Sequence, residues 1–106
     1  MKICIIGLGY IGLPTAAMFA TNGHLVLGVD VNSKVTEALN RGEIIIEEPY
    51  LEDLVKEAVK NGNLAASVKP EKADAFIICV PTPILPDKKA DLSYVESAAR
   101  TIAPYL

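Results

Sequence analysis

The sequence predicts an α/β domain: a parallel sheet with helices on both faces. Three observations carry that expectation. Short apolar runs alternate with amphipathic helical stretches along all 106 residues. The first run leads straight into glycines at the spacing Gly7-x-Gly9-x-x-Gly12. The second run, Leu25-Val-Leu-Gly-Val29, ends on an acid, Asp30.

Lys2-Ile-Cys-Ile-Ile6 forms the first strand, and Leu13 to Thr21 the first helix. A glycine triplet alone arises often by chance. Strand, triplet, helix, second strand and terminal acid in that order make a dinucleotide-binding fingerprint. Gly7 permits a sharp turn out of the strand, where a side chain would clash. Gly9 has no Cβ, so a pyrophosphate can approach the backbone. Gly12 lets the helix pack closely. Unpaired N–H groups at the helix start face the phosphates, aided by the helix dipole. Pro14 falls in the first helical turn, where its missing N–H costs no intrahelical bond. Asp30 accepts hydrogen bonds from ribose hydroxyls. Against a 2′-phosphate it would place two like charges about 4 Å apart, a repulsion of roughly 1–4 kcal/mol that favours NAD over NADP. No arginine follows Asp30 directly, and Lys34 is the nearby cation that could soften this preference.

Asn32 or Ser33 caps a second helix running to about Asn40, with Val35, Ala38 and Leu39 inward. Arg41-Gly42 ends it. A connector with a short extended piece, Ile44 to Ile46, leads to Pro49, which suits the first position of a third helix. Leu51, Leu54, Val55, Ala58 and Val59 form its apolar stripe, and Asn61-Gly62 stops it. Leu64 to Val68 and Ala75 to Val80 are the third and fourth strands. The fourth is continuously apolar, as expected of a parallel strand covered on both faces. Pro81 to Pro86 forms a stiff loop. Ser93 with Glu96 makes a capping box for a last helix to about Ala103, with Val95, Ala98, Ala99 and Ile102 inward. The strand order expected for such a Rossmann-type fold is 3-2-1-4, a partial sheet of about four strands.

Thirteen acids against ten cations give a net charge of −3 and no basic cluster, which argues against a nucleic-acid surface. The apolar runs are too short to span a membrane, and the first residues do not form a signal peptide, so a cytoplasmic protein is expected. Cys4 and Cys79 sit singly in separate strands and act as core hydrophobes, with no metal-ligand spacing and no disulfide. His24 reads as an exposed loop imidazole. Glu47 and Glu48 complement the dipole of the third helix rather than bind a metal. Glu52, Asp53 and Glu57 with Lys56 and Lys60 form a solvated helix face.

Further stretches carry a resemblance: Gly7-Leu-Gly-Tyr-Ile-Gly-Leu-Pro14, Val29-Asp-Val-Asn32, Asn40-Arg-Gly-Glu43, Glu48-Pro49, Val80-Pro-Thr-Pro83 and Asp91 to Arg100. With these the chain resembles the N-terminal NAD-binding domain of the UDP-glucose/GDP-mannose dehydrogenase family, the nucleotide-sugar 6-dehydrogenases. Arg41-Gly-Glu43 and Tyr94 to Arg100 look most like the UDP-N-acetyl-D-mannosamine dehydrogenase branch. The resemblance implies two successive NAD-dependent oxidations of a UDP-sugar C6 hydroxyl to a carboxylate, and a homodimeric full-length enzyme. It also implies a cysteine nucleophile far downstream, whose position neither Cys4 nor Cys79 matches. Residues 1–106 are then the front of a longer polypeptide that binds cofactor and holds no catalytic residue. By position, Tyr10 and Ile11 offer backbone to the pyrophosphate, Asp30 the ribose contact, Thr82 the nicotinamide side, and Lys34 a place near the adenine. A different nucleotide sugar, a 3-hydroxyacid-type dehydrogenase, a non-catalytic NAD-sensing module and, more distantly, a methyltransferase-like use of the same fold are the alternatives.

Overall fold

A computed structural model describes residues 1–44, 48, 50–81, 86 and 92–106. The element order is β1 (Lys2–Ile6), α1 (Gly12–Thr21), β2 (Leu25–Val29), α2 (Ser33–Asn40), α3 (Leu51–Lys60), β3 (Leu64–Ser67), β4 (Ala75–Ile78) and α4 (Ser93–Ile102), followed by a 3-10 turn, Ala103–Tyr105. The strands form one parallel sheet in the order β3-β2-β1-β4, as the alternation of elements predicts.

The period-2 alternation of β1 divides the core between two faces. Ile3 and Ile5 join Leu13, Ala16, Ala17 and Ala20 of α1, Leu39 of α2, and Leu51, Val55 and Ala58 of α3. Cys4 and Ile6 point the other way, with Leu27, Val29, and Ala98 and Ile102 of α4. Small residues along the inner face of α1 let it lie close to the sheet.

The same device ends each of the first three helices. Gly23, Gly42 and Gly62 all have positive φ. The glycine N–H and the next residue's N–H reach back to the last-turn carbonyls, for example Gly42 to Leu39 at 2.9 Å and Glu43 to Ala38 at 2.9 Å. The helix starts differ. Asn32 caps α2, its Oδ1 accepting from the Lys34 N–H at 3.0 Å, which decides between Asn32 and Ser33. At α4 the expected capping box is not made. The N-cap position falls on Leu92, a side chain with no acceptor, and Ser93 is already helical. Tyr50, at the N-cap of α3, holds a left-handed φ of 72°, a conformation that costs a residue with a Cβ roughly 1–2 kcal/mol.

Further expectations need correction. β4 is half-buried at every residue, not enclosed. It lies at the end of the strand order, with α4 on one face and no strand beyond it among the described residues. It also stops at Ile78, so Cys79 lies beyond it and is half-buried, though its N–H still donates to the Ile6 carbonyl at 2.7 Å. Leu54 and Ala99 face solvent, because each sits on the shoulder of an apolar stripe whose centre alone is covered. His24 is half-buried, its ring meeting Phe19 edge-on at 5.8 Å. β3 ends at Ser67, one residue early. The extended piece at Ile45 and Ile46, Glu47, Pro49, Thr82 and Asp91 lie outside the described residues, as does most of the loop between Pro81 and Pro86. No helix among the described residues is long and apolar enough to cross a membrane.

Candidate functional site

The site lies at the carboxyl ends of β1 and β2, where ligands bind in open α/β sheets. Gly7 leaves β1 with φ +98°, and its N–H donates to the Val29 carbonyl at 2.7 Å. A Cβ on Gly7 would stand 2.7 Å from the Cys79 carbonyl oxygen, so conformation and space both demand glycine. Gly12 is more tightly enclosed: its Cβ would lie 1.7 Å from the Gly7 carbonyl oxygen. The helix start therefore rests on the turn itself.

Gly9 is the opposite case. A Cβ there would meet nothing within 4 Å, and its φ is not in the left-handed region. Among the described residues no neighbour requires glycine at that place. An open backbone cradle is what a closely approaching phosphate needs. Beyond it, α1 begins at Gly12 with Ile11 as its N-cap, no side-chain cap and no acid in its first turn. The Leu13 N–H donates to the Gly9 carbonyl at 3.1 Å and Pro14 has none, while the Gly12 N–H donates to no backbone group among the described residues. Among the described residues, the Gly9, Tyr10 and Ile11 amides donate to no other backbone group. The Tyr10 and Ile11 side chains are both 70% exposed, so these two residues can offer their amides without moving a core group.

Asp30 closes the other side. Its Oδ2 accepts from the Leu8 N–H at 3.0 Å, and its Oδ1 accepts from the Asn32 N–H at 2.9 Å. The carboxylate is thus fixed to both the glycine loop and the start of α2. A carboxylate has about four acceptor sites, so capacity remains for two ribose hydroxyls. Leu8, Gly9, Asp30, Asn32, Val35 and Glu43 line a cleft of about 260 Å³, with apolar walls and the Asp30 carboxylate as a fixed polar group.

Sequence reasoning missed Gly28 and Glu43. A Cβ on Gly28 would meet Leu8 Cδ2 at 2.7 Å, so this β2 glycine seats Leu8 and sets the floor of the cleft. A glycine inside an otherwise apolar strand was the available signal. Lys34 is exposed and lies outside the cleft lining. Thr82 falls beyond the described residues. Among the described residues no group of acids, cysteines or histidines could hold a metal ion. Burial pushes both thiols above their ordinary value, Cys4 and Cys79 alike, which opposes a nucleophilic role.

The glycine cradle, the uncapped helix and the braced acid fit a dinucleotide. The sequence description "UDP-glucose/GDP-mannose dehydrogenase family, NAD binding domain" matches residues 1–106. The chain belongs to this family. Its cofactor is NAD. A UDP-N-acetyl-D-mannosamine dehydrogenase of Methanococcus maripaludis is 56% identical to this member over 99% of the chain and 26% of the relative. The Escherichia coli K12 protein of that name is 57% identical over 98% of the chain and 25% of the relative. Among solved structures, the UDP-N-acetyl-mannosamine dehydrogenase of Staphylococcus aureus superposes with a TM-score of 0.97 at 46% identity, covering the whole chain and 26% of that structure. A GDP-mannose dehydrogenase from Pseudomonas aeruginosa gives 0.92 at 37% identity, over 96% and 24%. This family member therefore spans about a quarter of the length of the relatives it matches.

Proposed function

We propose that residues 1–106 are the N-terminal NAD-binding portion of a nucleotide-sugar 6-dehydrogenase, and that the sugar is UDP-N-acetyl-D-mannosamine. One juxtaposition carries the reading: the open face of Gly9 and the braced carboxylate of Asp30 border the same cleft. The amides of Gly9, Tyr10, Ile11 and Gly12 hold the diphosphate, and Gly7 shapes the turn that presents them. Asp30 grips the adenosine ribose and disfavours a 2′-phosphate. By the family resemblance, Lys34 is assigned to the adenine and Thr82 to the nicotinamide side. NAD supplies the hydride acceptor for oxidation of a C6 hydroxyl to a carboxylate in two steps. The chain's share is to bind and orient the cofactor. The subfamily assignment is supported by the names and identities of the relatives above. We place the full-length enzyme in the cytoplasm as a homodimer, serving polysaccharide synthesis.

The test is an assay of the full-length protein against a panel of UDP-sugars, following NADH. The reading expects turnover of UDP-N-acetyl-D-mannosamine with NAD, and two NADH per sugar. Preference for UDP-glucose would move the assignment within the family. NAD binding without turnover of any sugar would favour a sensing module instead.

A further inference from the structure

We propose that Glu43 is a second selectivity residue of the cleft, acting by keeping Arg41 from a 2′-phosphorylated dinucleotide. This rests on reading the cleft as the adenosine-ribose site. Glu43 lines the same cleft as Asp30, yet no hydrogen bond links the two carboxylates. Its Oε2 accepts from Arg41 Nε at 3.3 Å. The turn that joins them is rigid. Gly42 holds φ +76° between them, the Glu43 N–H is tied to the Ala38 carbonyl at 2.9 Å, and a Cβ on Gly42 would stand 3.3 Å from Lys56 Cγ of α3.

The local cations are accounted for one by one. Lys56 is paired with Glu52 at 3.1 Å on its own helix. Lys34 is exposed, lies outside the cleft lining and, among the described residues, pairs with no acid of the cleft. Arg41 does not line the cleft either, but its Nε lies 3.3 Å from the Oε2 of a carboxylate that does, and a guanidinium is the side chain whose donor fork matches a phosphate monoester. Glu43 engages that guanidinium through its Nε and so holds it away from the cleft. Both ends of the pair are more than half exposed, at 59% and 56%, so solvent screens the interaction and the effect is modest.

The experiment is a calorimetric titration of the chain and of Glu43→Gln with NAD⁺ and with NADP⁺. The NADP⁺ dissociation constant should fall about two- to fivefold in the variant, with NAD⁺ affinity held within about twofold, as expected for a screened surface charge. The gain should shrink at about 0.5 M salt, where the screening length drops to a few ångströms. It should vanish in Glu43→Gln/Arg41→Gln. An unchanged NAD/NADP ratio in Glu43→Gln, or a gain that survives loss of Arg41, overturns the proposal. If Asp30→Ala narrows the ratio while Glu43→Gln does not, the cleft assignment stands and this inference falls. If the parent chain binds neither dinucleotide, both fall.

Discussion

The Leu8 N–H donates to Asp30 Oδ2 across 3.0 Å, tying the glycine loop to the end of β2. The acid expected to read the ribose is therefore also a brace for the loop that receives the phosphates. Ribose recognition and loop shape share one side chain.

Asp30→Ala should consequently do two things. It removes acceptors from the Leu8 and Asn32 amides, lowering stability by about 1–3 kcal/mol, the range for hydrogen bonds to a charged group at a half-buried site. It should also weaken NAD and narrow the NAD/NADP gap. Urea unfolding and paired titrations measure the two effects. A variant with wild-type stability would show that the brace is unimportant.

Gly9 and Gly12 should respond oppositely to alanine. Gly12→Ala drives a methyl into the Gly7 carbonyl, and overpacking of that kind costs about 1–3 kcal/mol or more. Gly9→Ala meets open space, so stability should change by less than about 1 kcal/mol while NAD affinity falls steeply. Thermal unfolding with and without NAD separates them. Loss of stability in Gly9→Ala would remove the cradle argument.

Asn40 supplies a prediction about the sheet edge. Its Nδ2 donates to the Ala66 carbonyl at 3.0 Å, and its Oδ1 accepts from the Ala66 N–H at 2.8 Å. The side-chain amide thus does for β3 what a neighbouring strand would do. Asn40→Ala should lower stability by about 1–2 kcal/mol for two neutral hydrogen bonds. Faster amide exchange at Ala66 should accompany it, and unchanged exchange there would contradict the role.

The cysteines set an alkaline limit. Burial raises both thiols above 9.0, most plainly at fully buried Cys4, so the fold favours the protonated form. The stabilisation is complete below the unfolded value and is lost as pH climbs from about 9 through the folded values. Stability should fall across that window in the parent and less so in Cys4→Ala, once its lower baseline is subtracted. A pH-independent difference between the two would contradict this.

Much of the fold was legible because local and tertiary signals agreed. Runs and stripes gave the strand order, and glycines at the helix ends gave the stops. Where reading failed, the deciding information was not local. Leu54 and Ala99 belong to helical stripes, but only the packed fold decides how wide a stripe is covered. β4 is as apolar as an enclosed strand, yet it sits at the end of the strand order. Gly28 matters because Leu8, twenty residues earlier in the chain, needs its space. In the site, the triplet and Asp30 were evident from spacing alone. Glu43 was not, since a turn after α2 brings it to the cleft.

An NAD titration followed by amide resonances decides whether the loop is the diphosphate cradle. The largest shifts should fall on Gly9, Tyr10, Ile11 and Gly12, with smaller ones at Leu8 and Asn32 through Asp30, and NADP at equal concentration should produce weaker changes. Shifts that cluster elsewhere, or a loop that ignores NAD altogether, would contradict it.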